Sequence, residues 1–481
     1  MIKGSYKIIL KNAAVLTAGR FFSRILQFFL FIYAARCLGV NYFGIFSFAY
    51  VLIKILEFSM DMGLENYTVQ QVSRNLEMVP IYQGASLTAK IFLIIVGYAL
   101  AMGIGFIMGK NALTMKALFI LATAAAFESL SQPFTSVFRA HEKMEYSAAI
   151  ISISNCIMTI IGFALLYYYK NVLLFCFAIT IGAFLRLILS ALWCSKKYGM
   201  PLFAFDFSFI FFLLKKSFPF VAGGVFVTLY YYADTVILDI FKGNAIVAYY
   251  NAAYRLVEAP LFVSDSIRMA LFPAISRLYI KNVETLNSTV SQFFNKGFAL
   301  GASIALVIAF LSKDIISFIY GLEYSQTASV LPILIFSVAI IMPSTICGTT
   351  IRATDRQSIG AVVTGAGMLL NIILNLLLIP KYSYLGAAWA TLATELAVLI
   401  VYIKLVQSYI GSIVRVKAIL QTLMLNSLLL IFLYFAKPAG FWVQSIGCCV
   451  IFFPCTFITG VLEMNVLKQM LLKKRKQILR E

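Results

Sequence analysis

The feature that most limits how this chain can fold is a series of fourteen apolar runs, each about as long as a bilayer core is thick. A membrane-spanning helix needs about 20 predominantly apolar residues. Such runs fall at 12–36, 40–63, 84–108, 113–138, 147–169, 172–195, 217–241, 246–270, 292–312, 327–349, 357–380, 384–408, 417–436 and 440–462. Composition agrees, with 62% hydrophobic and 12% charged residues and a mean hydropathy of +0.93. Soluble domains hold about 45–50% apolar and about 25% charged residues. The sequence therefore predicts an all-α polytopic membrane protein with about 14 transmembrane helices. The start, "MIKGSYKIILKNAAVL", has no small-residue cleavage site and is read without a removable signal peptide. The eight cysteines show no metal spacing and read as small core residues.

The net charge of +20 does not point to nucleic acid, because the basic residues are spread between apolar runs. Their placement sets topology instead. With the N-terminus in the cytoplasm, 24 of the 39 Lys and Arg fall on the cytoplasmic side, including Lys196, Lys197, Lys215, Lys216 and the Lys473–Lys476 cluster. Eight fall outside, among them Lys110, Lys170, Lys242 and Lys437, and seven lie within the spans. This positive-inside bias predicts that both termini are cytoplasmic. External loops are too short for a catalytic domain.

The chain also reads as two halves. "LGVNYFGIFSFAYVL" (Leu38–Leu52) aligns with "FKGNAIVAYYNAAYRL" at an offset of 204 residues, setting Gly39 on Gly243, Tyr50 on Tyr254 and Leu52 on Leu256. Six spans separate the two. The expected organisation is an N-lobe at 1–195, a cytoplasmic interlobe linker with an amphipathic helix at 196–216, a C-lobe at 217–408, and two further spans with a basic tail at 409–481. Asp206 or Ser208 is the expected cap of a short helix ending at Lys215 and Lys216.

Charges inside the spans are improbable unless they pair or line a cavity. The basic ones are Arg20, Arg24, Lys54, Lys90, Arg186, Arg255 and Arg268. The acids are Glu57, Asp61, Glu128, Asp234, Asp239, Glu258, Asp265 and Glu395. At 1.5 Å per residue, Arg20 and Arg24 lie about 12 and about 18 Å along span one, too deep to reach the interface easily. Lys90 and Arg268 sit nearer cytoplasmic ends and are expected to snorkel. Lys54, Glu57 and Asp61 share one helical face. His141 reads as a solvated loop residue.

Several stretches carry a family resemblance. "NAAVLTAGRFFSRILQFFLFIYAARCLGVNYFGIFSFAYVL" (Asn12–Leu52), "FVTLYYYADTVILDIFKGNAIVAYYNAAYRLVEAP" (Phe226–Pro260), "GLEYSQTASVLPIL" (Gly321–Leu334) and "LLNIILNLLLIPKYSYLGAAWATLATE" (Leu369–Glu395) resemble the Wzx-type polysaccharide and O-antigen flippases. Their superfamily, known as MATE/MOP, also holds multidrug extruders and lipid II flippases. The resemblance implies two lobes around a central cavity and alternating access. It also implies a polyisoprenyl-pyrophosphate-linked oligosaccharide as substrate, a bacterial or archaeal cytoplasmic membrane, and other polysaccharide assembly proteins as partners.

On that reading Arg20, Arg24, Lys54, Arg255, Asn371 and Asn375 are the candidate substrate-binding residues. Glu57, Asp61, Glu128, Asp234, Glu258 and Glu395 are candidates for charge balance or ion coupling. Arg presents a planar fork suited to phosphate oxygens. A purely structural alternative stays open, in which the acids of span two pair with Arg20 or Arg24 and only lock two helices together. For Asn371 and Asn375 the alternative is interhelical hydrogen bonding. No GxxxxGK[ST], HExxH or GxSxG motif occurs, so no ATPase, catalytic or metal residue and no cofactor is expected. The drive is expected from an H+ or Na+ gradient or the membrane potential. The competing functions are a multidrug or cation antiporter of the same superfamily and a membrane-embedded polysaccharide polymerase or ligase.

Overall fold

The computed structural model describes the backbone of residues 2–201 and 206–461, with side chains from residue 21 onward apart from those of residues 219, 222, 223 and 453. Among the described residues fourteen α-helices run in order: α1 (Ile2–Asp61), α2 (Leu64–Arg74), α3 (Val79–Ile107), α4 (Ala112–Ala140), α5 (Met144–Tyr169), α6 (Val172–Tyr198), α7 (Phe207–Lys242), α8 (Asn244–Lys281), α9 (Val283–Phe310), α10 (Ser312–Ile319), α11 (Thr327–Ala353), α12 (Gln357–Ile410), α13 (Val416–Phe435) and α14 (Phe441–Ile458). No strand occurs among the described residues. Hydrocarbon offers backbone N–H and C=O groups no partner, so a spanning segment that satisfies its own bonds is helical.

Eleven stretches among the described residues are long and apolar enough to cross a membrane. Two of them, Phe21–Arg74 and Gln357–Ile410, hold 54 residues each, about 80 Å of helix and room for two passes through a core about 30 Å thick. The breaks lie at single residues, Gly39 (φ 71°, ψ 174°) in α1 and Ser383 (φ 55°, ψ −137°) in α12. α8 is 38 residues long but carries Arg255, Glu258, Asp265 and Arg268, which keeps it out of the eleven on apolarity alone. With α8 included, the passes match the fourteen runs of the sequence.

Polar residues cap the helices where the chain turns back. Asn111 Oδ1 accepts from Thr114 N at 2.9 Å, Asn171 Oδ1 from Leu173 N at 2.8 Å, and Asn282 Oδ1 from Thr285 N at 2.9 Å. Asp206 also caps as expected, accepting from Ser208 N at 2.9 Å and Phe209 N at 3.2 Å. The helix it starts does not stop at Lys216, however. α7 continues for 36 residues to Lys242, because nothing after Lys216 breaks it until Gly243. Residues 202–205 of the expected linker and the basic tail from 462 lie outside the described residues.

The chain divides into two compact units, residues 1–252 with 375–384, and residues 253–374 with 385–481. In the first, an aromatic knot joins α1 to α6: Phe46 lies 4.7 Å from Phe175 and 5.5 Å from Phe31, centroid to centroid. In the second, Ile275, Leu286, Val290, Cys347, Val406 and Ile413 form a buried core. There α9 holds the α12–α13 link by side chain: Asn287 Nδ2 donates to Ile410 O at 2.6 Å and Ser291 Oγ to Ile413 O at 2.9 Å. Large apolar side chains such as Phe106, Ile107 and Phe211 are exposed, as lipid-facing residues are.

Candidate functional site: a polar cavity within the first unit

A cavity of about 110 Å³ opens among α1, α4, α5 and α6. Gln27, Lys54, Glu57, Glu128, Asn155 and Arg186 supply its polar lining, and Phe31 and Tyr50 are among its apolar walls. Residues 54 and 57 share a face of α1, so the helix presents both to the same space. Lys54 Nζ lies 2.5 Å from Glu57 Oε1 and 5.5 Å from the centre of the Tyr50 ring. Across the cavity Arg186 of α6 forms an ion pair with Glu128 of α4, and its Nη2 donates to Asn155 Oδ1 of α5 at 3.0 Å. Glu128 thus has the balancing partner that its depth requires.

One turn further along α1, Asp61 meets Lys90 of α3. Here the structure corrects the expectation that Lys90 snorkels. Its side chain is wholly buried, and its ammonium donates to Asp61 Oδ1 at 2.6 Å, Gln132 Oε1 at 2.6 Å and Ser129 Oγ at 3.2 Å. Three acceptors replace the water that an ammonium on a helix end would otherwise seek. Ser129 in turn donates to Met60 O at 2.9 Å, so the network clamps the end of α1. Below it Arg139 of α4 pairs with Glu65 of α2.

Other charges pair elsewhere. Asp239 of α7 pairs with Lys110, whose ammonium also lies 4.5 Å from the Phe48 ring centre. Asp234 is buried, receiving the Tyr250 hydroxyl and Thr235 N, the latter at 2.6 Å. Arg255 pairs with Glu258 at 2.8 Å and Arg268 with Asp265 at 2.9 Å, both within α8. Asn371, Asn375 and Glu395 are buried in α12. Arg24 is exposed on α1, one turn before Gln27, while the side chain of Arg20 lies outside the described residues. His141 is not simply solvated: it closes α4, with Nδ1 2.9 Å from Val137 O and its ring 4.1 Å from that of Tyr198.

Of the expected site residues, the cavity therefore brings together Lys54, Glu57 and Glu128. Sequence reasoning missed Gln27 and Asn155 and left Arg186 without a role. The signal was present, since both amides stand alone in the middle of apolar runs, where an unsatisfied polar group is costly. Among the described residues no three His, Cys, Asp or Glu side chains are grouped as a metal site.

Comparison with known proteins places the chain in a family. Residues 9–279, more than half the chain, match the family described as polysaccharide biosynthesis protein, and residues 219–377 match the MatE family. A probable low-salt glycan biosynthesis flippase, Agl15 of Haloferax volcanii, is 24% identical over 372 residues, covering 76% of each chain. A putative O-antigen transporter of Shigella dysenteriae is 22% identical, covering 78% of this chain and 94% of that one. The fold is shared with the lipid II flippase MurJ in an inward closed conformation, at a TM-score of 0.78 and 18% identity over 95% of this chain and all of that one. This multi-pass helical chain belongs to the polysaccharide biosynthesis protein family.

Proposed function

We propose that the protein is a flippase that moves a polyisoprenyl-pyrophosphate-linked oligosaccharide, the repeat unit of an O-antigen, capsule or exopolysaccharide, across the cytoplasmic membrane by alternating access. The observation that carries this reading is the polar cavity inside an apolar bundle, with Arg24 exposed one turn away on α1. Taking a pyrophosphate through hydrocarbon alone costs tens of kcal/mol. Fixed guanidinium and ammonium groups beside water-accessible space remove most of that cost. Arg24 is the group assigned to the diphosphate, with Arg20, Lys54, Arg255, Asn371 and Asn375 as further contacts of the substrate headgroup.

Glu57 and Glu258 balance Lys54 and Arg255, Asp61 and Glu128 balance Lys90 and Arg186, and Asp234 and Glu395 complete the acids of the spans. On this reading they also answer to an H+ or Na+ gradient or the membrane potential. The protein acts as a transporter rather than an enzyme, with both termini in the cytoplasm, alongside other polysaccharide assembly proteins. Support comes from the family and from relatives named as flippase and O-antigen transporter.

The MatE match supports a second reading, a multidrug or cation antiporter. The test is headgroup translocation of a defined lipid-linked sugar in proteoliposomes. Translocation above protein-free vesicles supports the flippase; efflux of organic cations with no lipid-linked sugar movement supports the antiporter.

A further inference from the structure

The cavity's groups are poorly suited to a phosphate. Its four charges cancel, Lys54 and Arg186 against Glu57 and Glu128. In the Arg186–Glu128 pair the carboxylate is the accessible partner, 32% exposed against 15% for the guanidinium. Each nitrogen of the Arg186 fork is already engaged, with Glu128, with Asn155 Oδ1 at 3.0 Å and with Ser154 Oγ at 3.5 Å. Such a guanidinium has only two of its five N–H groups left for a phosphate, and the exposed carboxylates repel one.

The same groups suit a ligand rich in hydroxyls. A carboxylate only accepts, and a sugar hydroxyl donates to it. Asn155 spends its carbonyl on Arg186 and keeps its amide N–H groups to donate. Gln27 offers both functions, and Tyr50 and Phe31 supply apolar walls. Size is compatible. One water occupies about 10–15 Å³ of such volume, so about 110 Å³ holds several waters, room for a sugar ring whose neighbours extend through the open mouth.

We infer that this cavity is a sugar subsite, which receives the lipid-proximal sugar of the substrate while the pyrophosphate is held outside it at the level of Arg24. The inference rests on the flippase reading and deepens it. Arg24 and Gln27 are three residues apart on α1, about 4.5 Å along the axis, so a sugar against Gln27 leaves its anomeric pyrophosphate beside Arg24. Glu128, Asn155 and Gln27 then determine which sugar is accepted, and Arg186 is a positioning residue that orients Glu128 and Asn155.

The experiment measures binding of the purified full-length chain to bare polyprenyl pyrophosphate and to a panel of polyprenyl-pyrophosphate monosaccharides carrying glucose, galactose or N-acetylglucosamine. At least one sugar should raise affinity tenfold or more over the bare carrier. Gln27→Ala and Asn155→Ala should each remove that gain and leave bare-carrier affinity within twofold, which also shows that the variants are folded. Arg24→Ala should weaken bare and glycosylated carriers by the same factor. The subsite is overturned if no panel sugar improves on the bare carrier, or if Gln27→Ala and Asn155→Ala weaken both alike. Failure of every carrier to bind would instead remove the flippase reading itself.

Discussion

Gly39 and Gly243 hold the same backbone conformation, φ 71°, ψ 174° at one and φ 80°, ψ 179° at the other. They are the two residues that the 204-residue offset sets on each other, and each ends one long helix and begins the next. This region of backbone space is open essentially to glycine alone, and a side chain there costs about 1–3 kcal/mol. Gly39→Ala and Gly243→Ala are each expected to lower stability by that amount in thermal unfolding of the purified protein. Gly103→Ala on α3, where a methyl group would meet nothing within 4 Å, is the control and should leave stability unchanged or raise it by up to about 1 kcal/mol. Equal unfolding temperatures for all three variants would refute the assignment.

Much of the fold was legible because lipid imposes a single rule on each segment. Length and apolarity sufficed to mark the spans, and the break at Gly39 falls where two runs meet. What the sequence hid was pairing between distant helices. Lys90 and Asp61 lie 29 residues apart, on α3 and α1, and nothing in periodicity says that a lysine near a helix end turns inward. Arg186 and Glu128 are 58 apart, on α6 and α4. By contrast the pairs visible in the sequence, Lys54 with Glu57 and Arg255 with Glu258, are one turn apart on a single helix. Local geometry could be read; the closure of a bundle could not. The continuation of α7 past Lys216 was hidden for a different reason, since two basic residues mark an interface without breaking a helix.

The Lys90 network predicts a large stability effect. Removing one partner of a buried ion pair costs about 3–5 kcal/mol, because the other charge is left behind. Lys90→Ala should therefore reduce the amount of folded protein in the membrane and lower its unfolding temperature. Lys90→Met combined with Asp61→Leu should recover most of the loss, because neither charge then remains buried. Wild-type stability for Lys90→Ala would show that the ammonium does not hold α1, α3 and α4 together.

Topology is checked at three turns. Lys170 lies between α5 and α6, Lys437 between α13 and α14, and Arg356 between α11 and α12. With fourteen passes and a cytoplasmic N-terminus, reporter fusions at Lys170 and Lys437 should read as external and a fusion at Arg356 as internal. A cytoplasmic signal at Lys437 would contradict the proposed orientation of the last two passes.

Arg24 carries the sharpest functional prediction. It is exposed beside the exposed rings of Phe21, Phe22 and Phe29, at a depth where an arginine is costly unless water or a partner reaches it. If its fork takes the substrate's pyrophosphate, its loss removes one or two charge-assisted bonds, each worth about 1.5–3 kcal/mol. At about 1.4 kcal/mol per factor of ten, Arg24→Ala should weaken lipid-linked substrate binding by at least tenfold and abolish export, with normal abundance in the membrane. Arg24→Lys keeps the charge and loses the planar fork, so partial activity is expected. Arg255→Ala should also abolish export, and it leaves Glu258 without its partner, so its membrane abundance must be measured alongside. Export is read as surface glycan in cells that depend on this protein. Wild-type glycan with Arg24→Ala would mean that the arginine has only a structural role and that the pyrophosphate is held elsewhere.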